Sequence, residues 1–498
     1  MAAPSSSRTA TRLTHKPAIV VPSPATTIVR IKLDGLFGLY NYDIPGNGRT
    51  LSRTPVLYGE NGLGKTNILR ILFHLLSSAD KAGHRTALGE IKFRKVEIAL
   101  SNSIIVRASR AGDSIEGAMR MEVVRDGNGH EELLGAWDWY PQDATTRETT
   151  QRWLAHLDPT EARRMATATS TAEARSELES VFVRFLAKES DPLVGETVFL
   201  AALRAHVPPV YFLTSDRILS SDHVERRQYA GLSTDPRRMR PEEMMAKGRE
   251  HALNEAIGLA SRRFSQMGIG AARKGSGSTH TIYRDLIKRL ASRRSKKAPR
   301  TAQALEELTT RLLALSSRYS LYSQYGLAPN LDGQSIVTLL ANVRQTERSV
   351  ATEVLRPYVE SLTESARDLD AAYNEIHTFV SVVNGFLYDK TLEFALVEGM
   401  VVKNRLGDVL QPKDLSSGEQ QLLLLFCHIA LAHAEGGLFI IDEPEISLNI
   451  KWQRRLVDAL RQLDATKNLQ FILASHSLEI LTKHRDGVVA LQETASGR

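Results

Sequence analysis

Apolar positions along this chain follow two periods. Four short uninterrupted runs, Pro55 to Tyr58, Val210 to Leu213, Leu438 to Ile441 and Phe471 to Ala474, predict strands buried on both faces of a parallel sheet. Each run gives way to glycine or polar residues, so any chemistry belongs at the C-terminal ends of those strands. Between Ile91 and Val124 the pattern switches to alternation, in VEIAL, SIIVRAS and MRMEVV, which predicts an antiparallel sheet. Helical spacing appears over Asn67 to Leu76, Thr171 to Ala187, Thr301 to Tyr325 and Gln334 to Leu387. Only Pro357 interrupts the last block, predicting two long helices or one kinked helix. Together with 301–325 it predicts an antiparallel helical arm. Strand character returns over Tyr388 to Val402, and Gln420 to Ala432 is a long apolar helix. The fold class is α/β.

Candidate chemistry sits where these elements end. After the first run comes GENGLGKT, namely Gly59, Glu60, Asn61, Gly62, Leu63, Gly64, Lys65 and Thr66, which fits the phosphate-loop pattern in its strand, loop and helix context. Its glycines let successive N–H groups and a helix N-terminus face a polyphosphate. Lys65 then reaches the β- and γ-phosphates, and Thr66 places its hydroxyl on Mg²⁺. The run Leu438 to Ile441 ends in Asp442 and Glu443, suited to holding Mg²⁺ through water and to polarising an attacking water. Leu415-Ser416-Ser417-Gly418-Glu419 precedes the apolar helix, as an anion-binding turn or an ordinary serine cap. His476, between Ser475 and Ser477, closes the fourth run as a γ-phosphate contact. Each of the last three motifs alone has a plain structural reading. Their order along one chain is what favours nucleotide chemistry.

With these motifs in place the chain resembles ABC-type ATPases of the OLD, RecF and AAA-family ATP-binding group, over roughly residues 26–100 and 386–480. The resemblance implies an ATPase head built from N- and C-terminal halves with a mainly helical insertion between them, and ATP with Mg²⁺ as substrate and cofactor. It further implies a homodimer or higher homo-oligomer through the heads, with Ser416 and Gly418 touching the partner's γ-phosphate. Glu445 to Asn449 would form the loop crossing that interface. Ser417 stands where the common pattern has Gly and Glu419 where it has Gln, both as in OLD-type ATPases. No glutamine occupies the usual Q-loop position. The strand from Val210 to Arg217 offers Ser215 or Asp216 instead. The implied units are a flexible tail over 1–25, the first half of the head over 26–217, a basic and helical insertion over 218–385 and the second half over 386–498.

Charge adds one feature. Residues 217–300 carry 20 Lys or Arg against 8 Asp or Glu, a balance of +12 in a chain whose net charge is +7. The clusters are Arg226-Arg227, Arg237-Arg238 with Arg240, Arg262-Arg263, Arg273-Lys274, Arg293-Arg294 and Lys296-Lys297. They favour contact with nucleic-acid phosphates, against a solvated face, an acidic protein partner, or a basic loop around Gly268 to Ser278. The single cysteine, Cys427, excludes a disulfide framework and fits a reducing cytoplasm. The longest apolar run, Leu422 to Ala432, is too short for a bilayer, so no membrane role is expected. The first two dozen residues, rich in Ser, Thr and Pro, weakly resemble a transit peptide without a secretory core.

No toprim-like, HNH-like or zinc-like cluster is visible in the sequence. The resemblance therefore narrows to ATPase subunits of two-component phage-defence systems, of the Septu or PARIS kind, that control a separate effector nuclease. A RecF-like DNA-repair ATPase and an ATP-dependent scaffold with negligible turnover are the alternatives.

Overall fold

The computed structural model describes residues 26–46, 48–79, 83–127, 130–141, 192–214, 219–221, 250–273, 301–342, 348–433, 436–446 and 448–492. The chain opens with β1 (Ile28–Leu36) and β2 (Tyr40–Ile44), then β3 (Val56–Tyr58), α1 (Lys65–Leu76) and α2 (His84–Glu90). The alternating stretch forms β4 (Lys95–Leu100), β5 (Ile104–Arg110), β6 (Met119–Gly127) and β7 (His130–Trp139), which join β1 and β2 in an antiparallel sheet of order β2-β1-β4-β5-β6-β7. Next come α3 (Pro192–His206), β8 (Val210–Leu213), β9 (Leu219–Ser221) and a helix over 250–273, α4. The helical insertion continues through α5 (Thr301–Ser323), α6 (Gly333–Ala341) and α7 (Arg348–Asn384). A small sheet, β10 (Lys390–Ala395), β11 (Gly399–Asn404) and β12 (Val409–Leu410), leads to α8 (Ser417–Ala432), β13 (Gly437–Asp442) and α9 (Ile450–Leu463). The described chain closes with β14 (Leu469–Ala474), α10 (Leu478–Lys483) and β15 (Val488–Ala490).

A central sheet of order β15-β3-β14-β13-β8-β9 joins the two ends of the chain. All its pairings are parallel except β8 with β9. Every residue of β13 and β14 is buried, as the unbroken apolar runs require. Alternate side chains serve two cores. Leu57, Phe212, Leu438, Ile440 and Ile472 face α1 and the antiparallel sheet, whereas Val56, Tyr211, Phe439, Ile441 and Phe471 face α7, α8 and α9. Tyr211 stacks on Phe439 across the β8–β13 pair at 4.5 Å, and Phe471 lies 5.6 Å from Phe439 on the other side.

Gln470 stitches the halves together. It is 1% exposed, and its amide accepts from Ile28 N at 2.6 Å and donates to Ile28 O and Ser52 O at 2.9 and 3.0 Å. A buried amide is tolerated here because these bonds compensate its desolvation.

The insertion departs from the sequence expectation in two ways. The break in the long helical block falls after Ala341, not at Pro357, which lies buried inside the 37-residue α7. The direction of packing also differs. Tyr319 meets Leu362, Tyr322 meets Ala366 and Asp370, and Tyr325 meets Tyr373 and His377, so α5 and α7 run parallel rather than antiparallel. The reason is α6, which folds back along α5: Ser316 Oγ donates to Leu331 O, and a Cβ at Gly333 would lie 2.8 Å from Ser316 Cβ. Residues 268–273, part of the stretch for which a basic loop is one alternative reading, are helical. Phe264 on the same α4 packs edge-on against Phe379 and Phe394, and Arg263 pairs with Glu375. The tail over 1–25, the helical reading of 171–187, and all the basic clusters except Arg262, Arg263 and Arg273 lie outside the described residues.

The end of α7 is fastened to the head. Asn384 bonds both N and O of Leu392, Arg455 of α9 donates to Gly385 O at 2.7 Å, and Phe386 packs on Phe426 and Trp452. No described helix is long and apolar enough to cross a membrane.

Two outcomes follow. Gln470→Leu, although more apolar, takes the amide partner from the buried N and O of Ile28 at about 1–3 kcal/mol each, and urea denaturation should show a clear loss of stability; an unchanged midpoint would contradict the stitch. The second concerns His74 and His84, whose Nδ1 atoms lie 3.0 Å apart between α1 and α2. Burial is the largest cause holding them neutral, at about 3 and about 4 respectively, and it also lowers His428 to about 4. The unfolded chain takes up these protons first, near pH 6.5, so their contribution is present above that value and lost as pH falls towards 3–4. A His74→Leu/His84→Leu double variant should flatten the loss of stability between pH 6.5 and 4, followed by urea melts.

Candidate functional site

The phosphate loop hangs between β3 and α1. Gly64 caps α1 with φ +80°, and Gly62 turns the loop at φ +91°, both in the left-handed region that only glycine enters freely. Space adds to the demand for glycine, since a Cβ at Gly64 would lie 2.6 Å from Leu36 Cδ2. Tyr42 on β2 donates its hydroxyl to Leu63 O at 2.9 Å, tying the loop to the antiparallel sheet. Glu60, Asn61 and Gly62 are exposed at the loop's outer side. Lys65 is 6% exposed and folds back over the loop, donating to Gly59 O at 2.8 Å and Glu60 O at 3.0 Å. Burial lowers the pKa of its ammonium, against the opposing pull of Glu443, Asp442 and Glu445.

The carboxylates stand at the neighbouring strand ends. Asp442, the last residue of β13, accepts from Thr66 Oγ1 at 3.3 Å and is 2% exposed. Burial raises its pKa; the Thr66 bond opposes that, and the charges of Glu443 and Glu445 add to it. Glu443 adopts φ +46°, a left-handed conformation worth roughly 1–3 kcal/mol of strain in a non-glycine residue. Its N–H bonds Ala474 O at 2.9 Å, and its Oε1 lies 3.8 Å from His476 Nε2, each side chain about one third exposed. Lys65, Thr66, Asp442, Glu443 and His476 therefore converge at one edge of the central sheet.

The resemblance implies that Glu445 to Asn449 form a loop crossing to a second head. In the folded chain Glu445 turns inward, its Oε1 accepting from His476 N at 2.6 Å and Ser477 N at 3.1 Å. Asn449 caps α9 by accepting from Trp452 N at 3.0 Å. Gln453, absent from the sequence reading, donates to Leu448 O at 2.8 Å and accepts from Ser477 Oγ at 2.7 Å. No local motif announces Gln453, because its role depends on three elements meeting.

The turn 416–419 is a separate structure at the start of α8. Ser416 and Glu419 form a reciprocal capping box: Glu419 N donates to Ser416 Oγ at 3.3 Å and Ser416 N to Glu419 Oε2 at 2.7 Å. Lys390 of β10 reaches both oxygens of the buried Glu419, at 3.0 and 2.8 Å. Ser416 and Ser417 are exposed, and Gly418 is buried. Among the described residues no hydrogen bond joins this turn to the phosphate loop of the same chain. The Q-loop candidates Ser215 and Asp216 lie outside the described residues, directly beyond β8.

Residues 280–482, which hold the 416–419 turn, Asp442, Glu443 and His476, match the family model described as "AAA domain, putative AbiEii toxin, Type IV TA system". Among solved structures, the chain is similar to the Smc head domain of Pyrococcus furiosus with an extended coiled coil, bound to the C-terminal domain of ScpA. Identity there is 13%, coverage is 94% of this chain and 96% of that one, and the TM-score is 0.35. The Smc head domain of Pyrococcus yayanosii with a coiled coil and joint is 12% identical over 94% and 97% of the two chains, at a TM-score of 0.37. Overlaps of this size carry no argument about function. No curated protein matches the chain. Residues 280–482 are thus similar to an AAA domain, and the phosphate loop from the first part of the chain meets that segment at Asp442.

Proposed function

We propose that this chain is an ATP-hydrolysing switch whose heads associate on ATP, serving as the regulator subunit of a defence complex that controls a separately encoded nuclease. One observation carries the ATPase reading: Lys65 and Thr66 meet Asp442, Glu443 and His476 at a single sheet edge, across 376 residues of sequence for the Thr66–Asp442 bond. The description of the matching family, which names a toxin of a toxin–antitoxin system, supports the two-component part. The +12 balance over 217–300 supports a nucleic-acid contact.

The donor set fits ATP with Mg²⁺. The glycine-built loop and the N-terminus of α1 offer N–H groups to the phosphates. Lys65, now bonded to two neutral carbonyls, would exchange them for phosphate oxygens, which make stronger charge-assisted bonds. Thr66 and Asp442 are hard oxygen donors suited to Mg²⁺, which would neutralise charge on the phosphate oxygens. Glu443 orients and deprotonates the attacking water, and His476 beside it contacts the γ-phosphate. The turn of Ser416, Ser417, Gly418 and Glu419, with its two serines exposed, serves the nucleotide of a second head. Hydrolysis then reopens the pair, and α7, fastened to β10 and α9, carries the change into the helical insertion.

Glu443→Gln should lower phosphate release at least about 100-fold while accumulating an ATP-bound dimer in sedimentation, and Lys65→Ala should lose ATP binding. Equal oligomer distributions for wild type and Glu443→Gln, with and without ATP, would sink the switch. Purification from the native operon with ATP and Mg²⁺ tests the rest. A second protein in the complex supports the defence reading, whereas a homodimer that adds only DNA points to a RecF-like role.

A further inference from the structure

We infer that Glu445 is a positioning residue of the hydrolytic centre, holding the His476 turn against Glu443; this rests on the ATPase reading. The local cause is the turn after β13. Glu443 leaves the strand in a left-handed conformation and Pro444 follows, so the next side chain returns towards the sheet edge rather than away from it. There the Glu445 carboxylate meets two backbone N–H groups in succession, those of His476 and Ser477, at 2.6 and 3.1 Å. A carboxylate is suited to this task because it accepts twice without carrying a proton, and its bonds are roughly twice as strong as neutral ones.

A second contact closes the arrangement. Ser477 caps α10 by accepting from Ile480 N, and its hydroxyl donates a hydrogen bond to Gln453 Oε1 at 2.7 Å. The Nε2 of Gln453 holds Leu448 O at 2.8 Å and reaches Glu445 O at 3.4 Å. The loop after β13 and the turn after β14 are thus joined twice, once by a carboxylate and once by an amide. These two loops carry Glu443 and His476, whose 3.8 Å approach depends on their relative placement. Backbone bonds reach only as far as Glu443 N to Ala474 O and Ser475 N to Leu57 O, so beyond them the clamp holds the His476 turn against the loop after β13.

The test compares wild type, Glu445→Ala, Glu445→Gln and Gln453→Leu in the full chain. Without nucleotide, hydrogen–deuterium exchange over 475–481 should quicken about tenfold or more in Glu445→Ala, as expected for losing hydrogen bonds to a charged group. With ATP, its turnover should fall about 30-fold while the ATP Kd stays within about threefold, the pattern of lost transition-state geometry. Glu445→Gln keeps an oxygen acceptor and should stay within about threefold of wild type in both measurements. Gln453→Leu should move in the direction of Glu445→Ala, by less. Wild-type exchange in Glu445→Ala would overturn the clamp. So would Glu445→Gln as inactive as Ala with its turn still protected, since Glu445 would then act on the reacting atoms. A wild-type chain that does not hydrolyse ATP would fail the ATPase reading, and the exchange data alone would then decide the clamp.

Discussion

Everything in this head depends on β3 lying between β14 and β15. Three residues from the first part of the chain hydrogen-bond to strands from its last part, with Leu57 opposite Ala474 and Val489. That pairing brings the phosphate loop beside the carboxylates and His476. It is sustained from outside by Gln470, whose amide satisfies Ile28 and Ser52, and from both faces by the two cores that share the sheet's alternate side chains. An inserted segment of any length is compatible with it, because the entropy of closing a loop grows only slowly with its length.

At the sheet edge polar groups replace apolar ones within a residue or two, and each is held by another. Lys65 is supported by loop carbonyls, Asp442 by Thr66, the His476 turn by Glu445 and Ser477 by Gln453. Burial weakens the charged forms of both Lys65 and Asp442; Glu443 and Asp442 draw Lys65 back towards its charged form, and the Thr66 bond and Arg70 do the same for Asp442. The strain at Glu443 fits the same economy, being an unusual conformation kept where its surroundings over-determine it.

The helical insertion belongs to the core rather than hanging from it. Phe264, Phe379, Phe386 and Phe394 pack into the cluster that also holds Phe426, Phe439 and Phe471, so no polar layer separates the arm's base from the sheet. Lys390 lies a few residues beyond α7 and grips Glu419 at the start of α8. The arm's base is thereby linked by a hydrogen bond to α9 and lies a few residues from Lys390, which holds the 416–419 turn.

What was legible in the sequence was local. Fully apolar runs announced the buried strands of the central sheet, alternation announced three of the six strands of the antiparallel sheet, and GENGLGKT announced a turn that only glycines could make, because element type and backbone demand are written in neighbouring residues. The tertiary structure decided how those elements meet. Helical spacing in 301–325 and 334–387 reported apolar faces but not their direction, and the return of α6 made α5 and α7 parallel. Pro357 marked no break, because an interior proline costs only a few kcal/mol and α7 is packed against the core along its length. Gln470, Glu445 and Gln453 look like ordinary polar residues until distant backbone groups arrive beside them. Their roles are hydrogen bonds across tens to hundreds of residues, which no local pattern encodes.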